Sequence, residues 1–270
     1  MRRGVEMRFR WTFAAGAAIT GLLTLFLTLP VLMSVVAGLS VSYARGLPAG
    51  LTFDWVIQVW DLYADTILRS LVVAIATLVL TLLIGVPGAY ALVRRGGRFA
   101  RIAEEIVTLP VAIPGLALAL ALILIYGGYG DFRRSTLFIV AGHVLFTLPF
   151  MMRAVMAVLE TIDWKVLDEG AASLGAPAWR RFIDVILPNV KQGILAGALT
   201  VVTLSIGEFN LTWMLHTPTT KTLPVGLADA YASMRLEIAS AYTLVFLIMI
   251  VPLLIGLQLV ASLTERRSQP

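Results

Sequence analysis

The sequence predicts an all-α membrane protein of six transmembrane helices with both termini cytoplasmic. Three observations carry that prediction. Of 270 residues, 59% are hydrophobic and 14% charged, against about 25% charged residues in a typical soluble domain. The apolar residues collect into six runs of the length needed to cross a bilayer. The Lys and Arg residues sit between those runs, and mostly on one side of them.

The chain opens on MRRGVEMRFR, with four Arg, and an apolar run from about Phe13 to Leu39 follows. That run is too long for a signal-peptide core and is read as a retained first helix, bent by Pro30. From Ser40 to about Asp65 the segment is polar and aromatic, and Trp55, Trp60 and Tyr63 suit a helix at the membrane interface. The second span is Leu68 to Leu92, closed by RRGGRFAR (Arg94 to Arg101). The third is Val107 to Tyr126, with Pro110 and Pro114 near its inner end. Those prolines and Pro149 are expected to bend helices around a cavity. Gly127 to Ser135 is a short turn, and Leu137 to Val158 is the fourth span. A polar segment, Thr161 to Val190, precedes the fifth span at Gln192 to Trp213. An outer loop, His216 to Leu236, carries Pro218 and Pro224, and Ile238 to Leu263 is the sixth span before TERRSQP. With no internal repeat, low-complexity tract or linker, residues 1–270 read as a single transmembrane domain.

The basic residues orient it. Four lie in the N-terminal arm, four in the connection after the second span, five from Arg153 to Lys191 and two in the tail. The opposite connections hold Arg45, Arg133, Arg134, Lys221 and Arg235, with Arg69 at the edge of a span. The positive-inside bias therefore places both termini and the 161–190 segment in the cytoplasm. The net charge of +5 is spread over these short connections and forms no patch for nucleic acid.

The cytoplasmic segment reads as two short amphipathic arms with a stop between them. Asp163 is placed to cap the first arm, where Trp164, Leu167, Ala171 and Leu174 recur at helical steps. Gly175 fits the left-handed position past a helix end, and Pro177 the first turn of the next helix. Trp179, Phe182, Ile183 and Ile186 form the stripe of the second arm, opposite Arg180, Arg181 and Asp184. Glu169, Gly170 and Ala171, then Gly175, then Val185, Leu187 and Pro188 resemble the EAA motif of permease subunits of ABC importers. In that family Glu-Ala-Ala is followed after three residues by Gly and then by Ile-x-Leu-Pro. Gly170 replaces the first Ala, at about 1 kcal/mol of helix propensity, and Val185 replaces Ile. LPVAIPGLALALAL (Leu109 to Leu122), ILRSLVVAIATL and TKTLPVGL are also similar to the type I importer fold. Permeases for spermidine/putrescine, 2-aminoethylphosphonate and ferric iron are the relatives these motifs suggest.

The resemblance implies a second, homologous permease subunit, two cytoplasmic ATPase subunits and an external solute-binding protein, in a bacterial inner membrane. It implies that the loop docks on an ATPase through Glu169, Gly170, Ala171, Ser173, Leu174, Gly175, Leu187 and Pro188. ATP and Mg would be held by that partner, with no cofactor on this chain. The energetics agree, since moving a two-state gate from 1:99 to 99:1 takes about 5.5 kcal/mol of differential binding. This chain has no G-x-x-x-x-G-K-[ST] loop to supply it, and none of its three Lys follows a Gly.

Other chemistry is excluded or unsupported. Cys is absent, so disulfides and thiol chemistry are out. His143 and His216 lack the spacing of metal ligands, and His143 reads as an interhelical hydrogen-bonding residue. No nucleophile motif proposes a catalytic residue. Glu208 stands out, about sixteen residues and so about 24 Å into the fifth span, one turn beyond Ser205 and next to Asn210. Two readings stand. Glu208, Ser205 and Asn210 line the translocation pathway, or Glu208 is a structural partner for an Arg such as Arg69 or Arg153, or a wet group at the outer mouth. An unpaired acid there favours a cationic or zwitterionic amine over an anion. A secondary transporter would show two related halves and several buried carboxylates, and a purely structural membrane subunit would need no polar pathway.

The absence of Cys makes the topology testable. Single Cys at Gly97, Ser173 or Ser268 are expected to stay shielded from an impermeant thiol reagent in intact cells. Cys at Gly130 or Thr219 are expected to react, and external labelling at Ser173 would overturn the orientation.

Overall fold

The computed structural model describes residues 2–266, with side chains from Phe13 to Leu259 and at Ser262. Ser268 lies outside the described residues. The helices run α1 (Arg2–Gly38), α2 (Asp54–Arg95), α3 (Gly97–Ala112), α4 (Gly115–Tyr126), α5 (Gly130–Arg134) and α6 (Thr136–Thr161). Then come α7 (Trp164–Ser173), α8 (Ala178–Arg180), a π-turn (Arg181–Ile186) and α9 (Leu187–Asn189). The last are α10 (Lys191–Gly207), α11 (Asn210–Leu215), α12 (Leu223–Ala232) and α13 (Leu236–Arg266). Among the described residues an isolated bridge, Ser40 to Leu51, is the β-type pairing present.

Four helices are individually long and apolar enough to cross a membrane, within α1, α2, α6 and α13. Two bent pairs bring the total to six: α3 with α4, bent by 108°, and the 178–189 run with α10, bent by 74°. The six-span expectation is met on that basis, but two of the runs are interrupted, the third where its prolines were expected to bend it and the fifth where no break was expected. In the third, Ile113 turns extended (φ −91°, ψ 129°) and α4 starts after Pro114. A residue before proline is pushed out of the helical region by the pyrrolidine ring, so the stop falls at Pro114, while Pro110 stays inside α3. In the fifth, α10 stops at Gly207, Glu208 is extended (φ −70°, ψ 122°) and α11 resumes at Asn210. The interface helix expected before the second span is the start of α2 itself, which leaves helical geometry at Tyr63 (φ −132°, ψ 16°).

The chain groups into two compact units. One draws on residues up to Leu62 and on Leu227–Phe246. In it the end of α1 meets the start of α13 so closely that a Cβ on Gly38 would sit 2.7 Å from the Ala241 nitrogen. Trp55 Nε1 donates to the Ser40 carbonyl (3.0 Å), and the Tyr43 N–H to Glu237 (2.8 Å).

The other unit holds Tyr63–Gly226 and the chain from Leu247. Its inner core joins Val86, Ala89 and Tyr90 of α2, Met151, Met152, Val155 and Leu159 of α6, Ile186 and Val190 of the connecting loop, and Ala198 and Val201 of α10. Its other core joins Val73, Leu118, Ala119, Phe138, Ile139, Leu211 and Leu215. The α6–α10 contact depends on Gly193 and Gly197, four residues apart on one face. A Cβ on Gly193 would lie 2.6 Å from the Ala154 carbonyl oxygen, and one on Gly197 2.7 Å from Met151 Sδ. Small residues let helix backbones approach where lipid gives no hydrophobic drive to associate.

That contact gives a stability prediction. Gly193→Ala forces a methyl against main-chain atoms and is expected to cost about 1–3 kcal/mol in unfolding of the detergent-purified protein. Gly170→Ala, with nothing within 4 Å of the new Cβ, is expected to gain up to about 1 kcal/mol. Equal effects would refute the close-approach account.

Candidate functional site

The two-armed loop and the break in the fifth span are the two candidate regions. In the loop, α7 ends as expected: Gly175 is left-handed (φ 81°), and its N–H donates to the Ala172 carbonyl at 2.9 Å. The Ala176 N–H reaches the Ala171 carbonyl at 3.1 Å, closing the C-terminal turn. Asp163 occupies the N-cap position, but its side chain makes no capping hydrogen bond. Pro177 is the N-cap of the second arm, just before its first turn, and that arm passes through the π-turn before Leu187 and Pro188.

The apolar stripes divide in a way the sequence did not reveal. Trp164, Phe182 and Ile186 turn inward onto the core. Leu174 is 90% exposed, and Val166, Trp179 and Ile183 are also exposed. The predicted docking residues Glu169, Gly170, Ser173, Leu174, Gly175 and Pro188 are all exposed, whereas Ala171 and Leu187 are half-buried. An uncovered apolar tip with a carboxylate beside it fits a contact with another protein.

The inward face of α7 is centred on Asp168, a residue that no motif in the sequence singled out. Asp168 is 6% exposed. Its Oδ2 accepts from Arg181 Nη1 at 2.9 Å and lies 3.6 Å from Arg94 Nη2. Its Oδ1 accepts from the Tyr90 hydroxyl at 3.1 Å. The Tyr90 ring sits between Trp164 of the first arm (6.1 Å between centroids, edge-on) and Phe182 of the second (5.4 Å, tilted). The available signal was the four-residue step from Trp164 to Asp168, which puts both on one helix face.

In the second region Glu208 is bound by its own chain. Its Oε1 accepts the Leu211 N–H and its Oε2 the Thr212 N–H, both at 2.9 Å. Oε2 also accepts the Thr212 hydroxyl at 2.9 Å. The carboxylate thus satisfies donors that a helix start leaves open. His143, buried on α6, spans the break: Nδ1 is 2.8 Å from Ser205 Oγ on α10, and Nε2 is 2.7 Å from Thr212 Oγ1 on α11. Because the Thr212 hydroxyl donates to Glu208, it accepts from His143 Nε2–H, leaving Nδ1 to accept from Ser205. The chain Ser205–His143–Thr212–Glu208 ties both sides of the break to α6, the interhelical role expected of His143.

Gly115, at the start of α4, lies against the same break, since its Cβ would be 3.3 Å from Asn210 Cβ and 3.5 Å from Glu208 Oε1. The two interruptions therefore meet. Of the predicted pathway residues Ser205 is buried, Glu208 half-buried and Asn210 exposed. Arg69 donates to Thr136 (3.2 Å), so the structural partners Glu208 finds are backbone amides, Thr212 and, at 4.0 Å, His143. Arg133, read only as a turn residue, closes the other end of α11 by donating to the Leu215 carbonyl at 2.7 Å. Among the described residues no cluster of His, Asp or Glu could hold a metal ion.

Comparison with known proteins follows the same lines. The sequence model of a family described as binding-protein-dependent transport system inner membrane component matches residues 81–269. A relative named for 2-aminoethylphosphonate transport, the permease protein PhnV of Salmonella typhimurium, is 27% identical over 251 residues, covering 92% of this chain and 94% of its own. The sulfate transport system permease protein CysW of Synechocystis is 28% identical over 200 residues, 69% of this chain and 72% of its own. The molybdenum transport system permease protein ModB of Azotobacter vinelandii is 28% identical over 190 residues, 65% and 83%. Among solved structures, a chain of a bacterial ABC transporter that imports the acidic polysaccharide alginate superposes with a TM-score of 0.72, at 18% identity over 100% of both chains. A chain of the MetNI methionine ABC transporter superposes with a TM-score of 0.62, at 17% identity over 79% of this chain and 99% of that one.

The loop geometry sets a prediction. Gly175→Val puts a β-branched residue at φ 81°, and Glu169→Lys reverses an exposed charge. Both proteins are expected to insert normally and to lose co-purification with an ATPase subunit, read by pull-down. Retained binding in both would leave the loop an ordinary connection.

Proposed function

The chain belongs to the family of binding-protein-dependent transport system inner membrane components, and on that premise we propose how it works and what it carries. It is a permease subunit of an ABC importer, a transport component and not an enzyme. In the proposed assembly it pairs with a second homologous permease, binds two ATPase subunits through the two-armed loop and receives solute from an external binding protein. ATP and Mg stay on the ATPases, and the assembly sits in a bacterial inner membrane with both termini cytoplasmic. The observation that carries this reading is the loop, whose Leu174 tip is 90% exposed beside Glu169 and Gly175, at the positions of the EAA motif.

The solute we propose is small and polar, of the aminophosphonate class. Support comes from the relative named for 2-aminoethylphosphonate, which spans nearly the whole chain. The argument for a cationic polyamine needs an unpaired Glu208, and both of its oxygens are engaged. Glu208 instead acts on the gate. It caps α11 at the point where two interrupted helices meet, so its charge holds one position of the pathway wall.

Reconstitution with the partner subunits tests this. The binding protein loaded with 2-aminoethylphosphonate is expected to stimulate ATP hydrolysis, and loaded with putrescine it is not. Glu208→Gln keeps shape but can no longer accept at both oxygens, so uptake is expected to fall at least tenfold with the complex intact and basal hydrolysis retained. Unchanged uptake would remove Glu208 from the pathway. A complex that fails to assemble would make it a structural cap only.

A further inference from the structure

We infer that Asp168 is a positioning residue that fastens the docking loop to the inner end of α2, so that movement of the loop moves the second span directly. The inference deepens the proposed ATPase coupling and rests on it.

The covalent route from the loop runs through α9 into α10, and it is bent by 74° around Val190. A corner of that kind transmits a push poorly unless something braces it. The brace is on α2. Tyr90 projects between the two arms of the loop, with Trp164 on one side and Phe182 on the other, and its hydroxyl ends on Asp168. Asp168 in turn holds Arg181 of the second arm at 2.9 Å, with Arg94 of α2 alongside at 3.6 Å. One carboxylate therefore joins both arms to the end of α2, through Tyr90 and Arg94.

The chemistry suits a register device more than a stability device. Burying a carboxylate and a guanidinium costs desolvation that their attraction barely recovers, and apolar side chains of the same volume would often serve stability as well. What the charged set adds is direction. Arg181 is 16% exposed at its side chain and its Nε has no partner, so its hold on α7 is the bond to Asp168. Leaving one member of such a set unpaired is strongly unfavourable, so the arms and α2 keep one relative placement. Immediately beyond, Gly96 and Gly97 both have positive φ (58° and 73°), with nothing within 4 Å of a Cβ added at either. The brace therefore ends where the chain turns into α3.

The test uses the complete complex and the absence of native Cys. Spin labels on Ala91→Cys and Lys165→Cys, both exposed and outside the docking residues, report the distance between α2 and α7 with and without nucleotide. In the parent protein that distance is expected to stay narrow and constant through the ATP cycle, and in Asp168→Asn to broaden. Uptake is expected to fall at least tenfold in Asp168→Asn while the ATPase stays bound and hydrolyses ATP. Asp168→Glu should recover part of the uptake. A parent distance that shifts with nucleotide, unchanged uptake in Asp168→Asn, or uptake lost only in step with lost complex would overturn the inference. Should no ATPase bind the parent chain, the coupling reading fails separately. The labels on the purified chain then decide the brace, which stands if Asp168→Asn broadens the distance and falls if it does not.

Discussion

Inside a bilayer a backbone N–H with no partner costs several kcal/mol, and the interrupted fifth span depends on meeting that demand. A helix can stop there only if the chain supplies acceptors for the next helix start and donors for its end. Glu208 gives its two oxygens to Leu211 and Thr212, and Arg133 reaches the Leu215 carbonyl. The six residues of α11 are held at both ends by charged side chains from outside the helix. His143 then links the break to α6 through two hydroxyls. Ser205, His143, Thr212 and Glu208 form one connected set, and Arg133 closes the far end of α11 separately.

Much of this was legible in the sequence, and the reasons for the rest are physical. Apolar runs and the placement of Lys and Arg report transfer free energy, which depends on composition, so the spans could be read without a fold. Gly175 was legible because a left-handed residue excludes nearly every other side chain. Glu208 was visible as an oddity but not as a cap, because its partners are main-chain amides three and four residues on, and they exist only once the helix has stopped. The proline at 114 marked a bend, but its angle of 108° is set by packing. Asp168 was missed because a charge in a connecting segment is usually solvated, and its burial follows from Tyr90, 78 residues earlier.

The two candidate regions use charge in the same manner. Neither Glu208 nor Asp168 faces open solvent, and each has both oxygens committed to donors on separate residues. A carboxylate bound in that way is a poor attractor for a passing solute and a good fixed point for moving parts. On the proposed assembly, selectivity then falls to shape and to uncharged polar groups, and the acids govern geometry.

The exposed tip at Leu174 bears on how cells would handle the subunit. On the proposed assembly, a chain made in excess of its ATPase would carry an uncovered apolar knob, with Val166 and Trp179 exposed as well. Surfaces of that kind are what chaperones and quality-control proteases recognise. In that assembly docking covers the tip, so unmatched copies are the ones that keep this surface open.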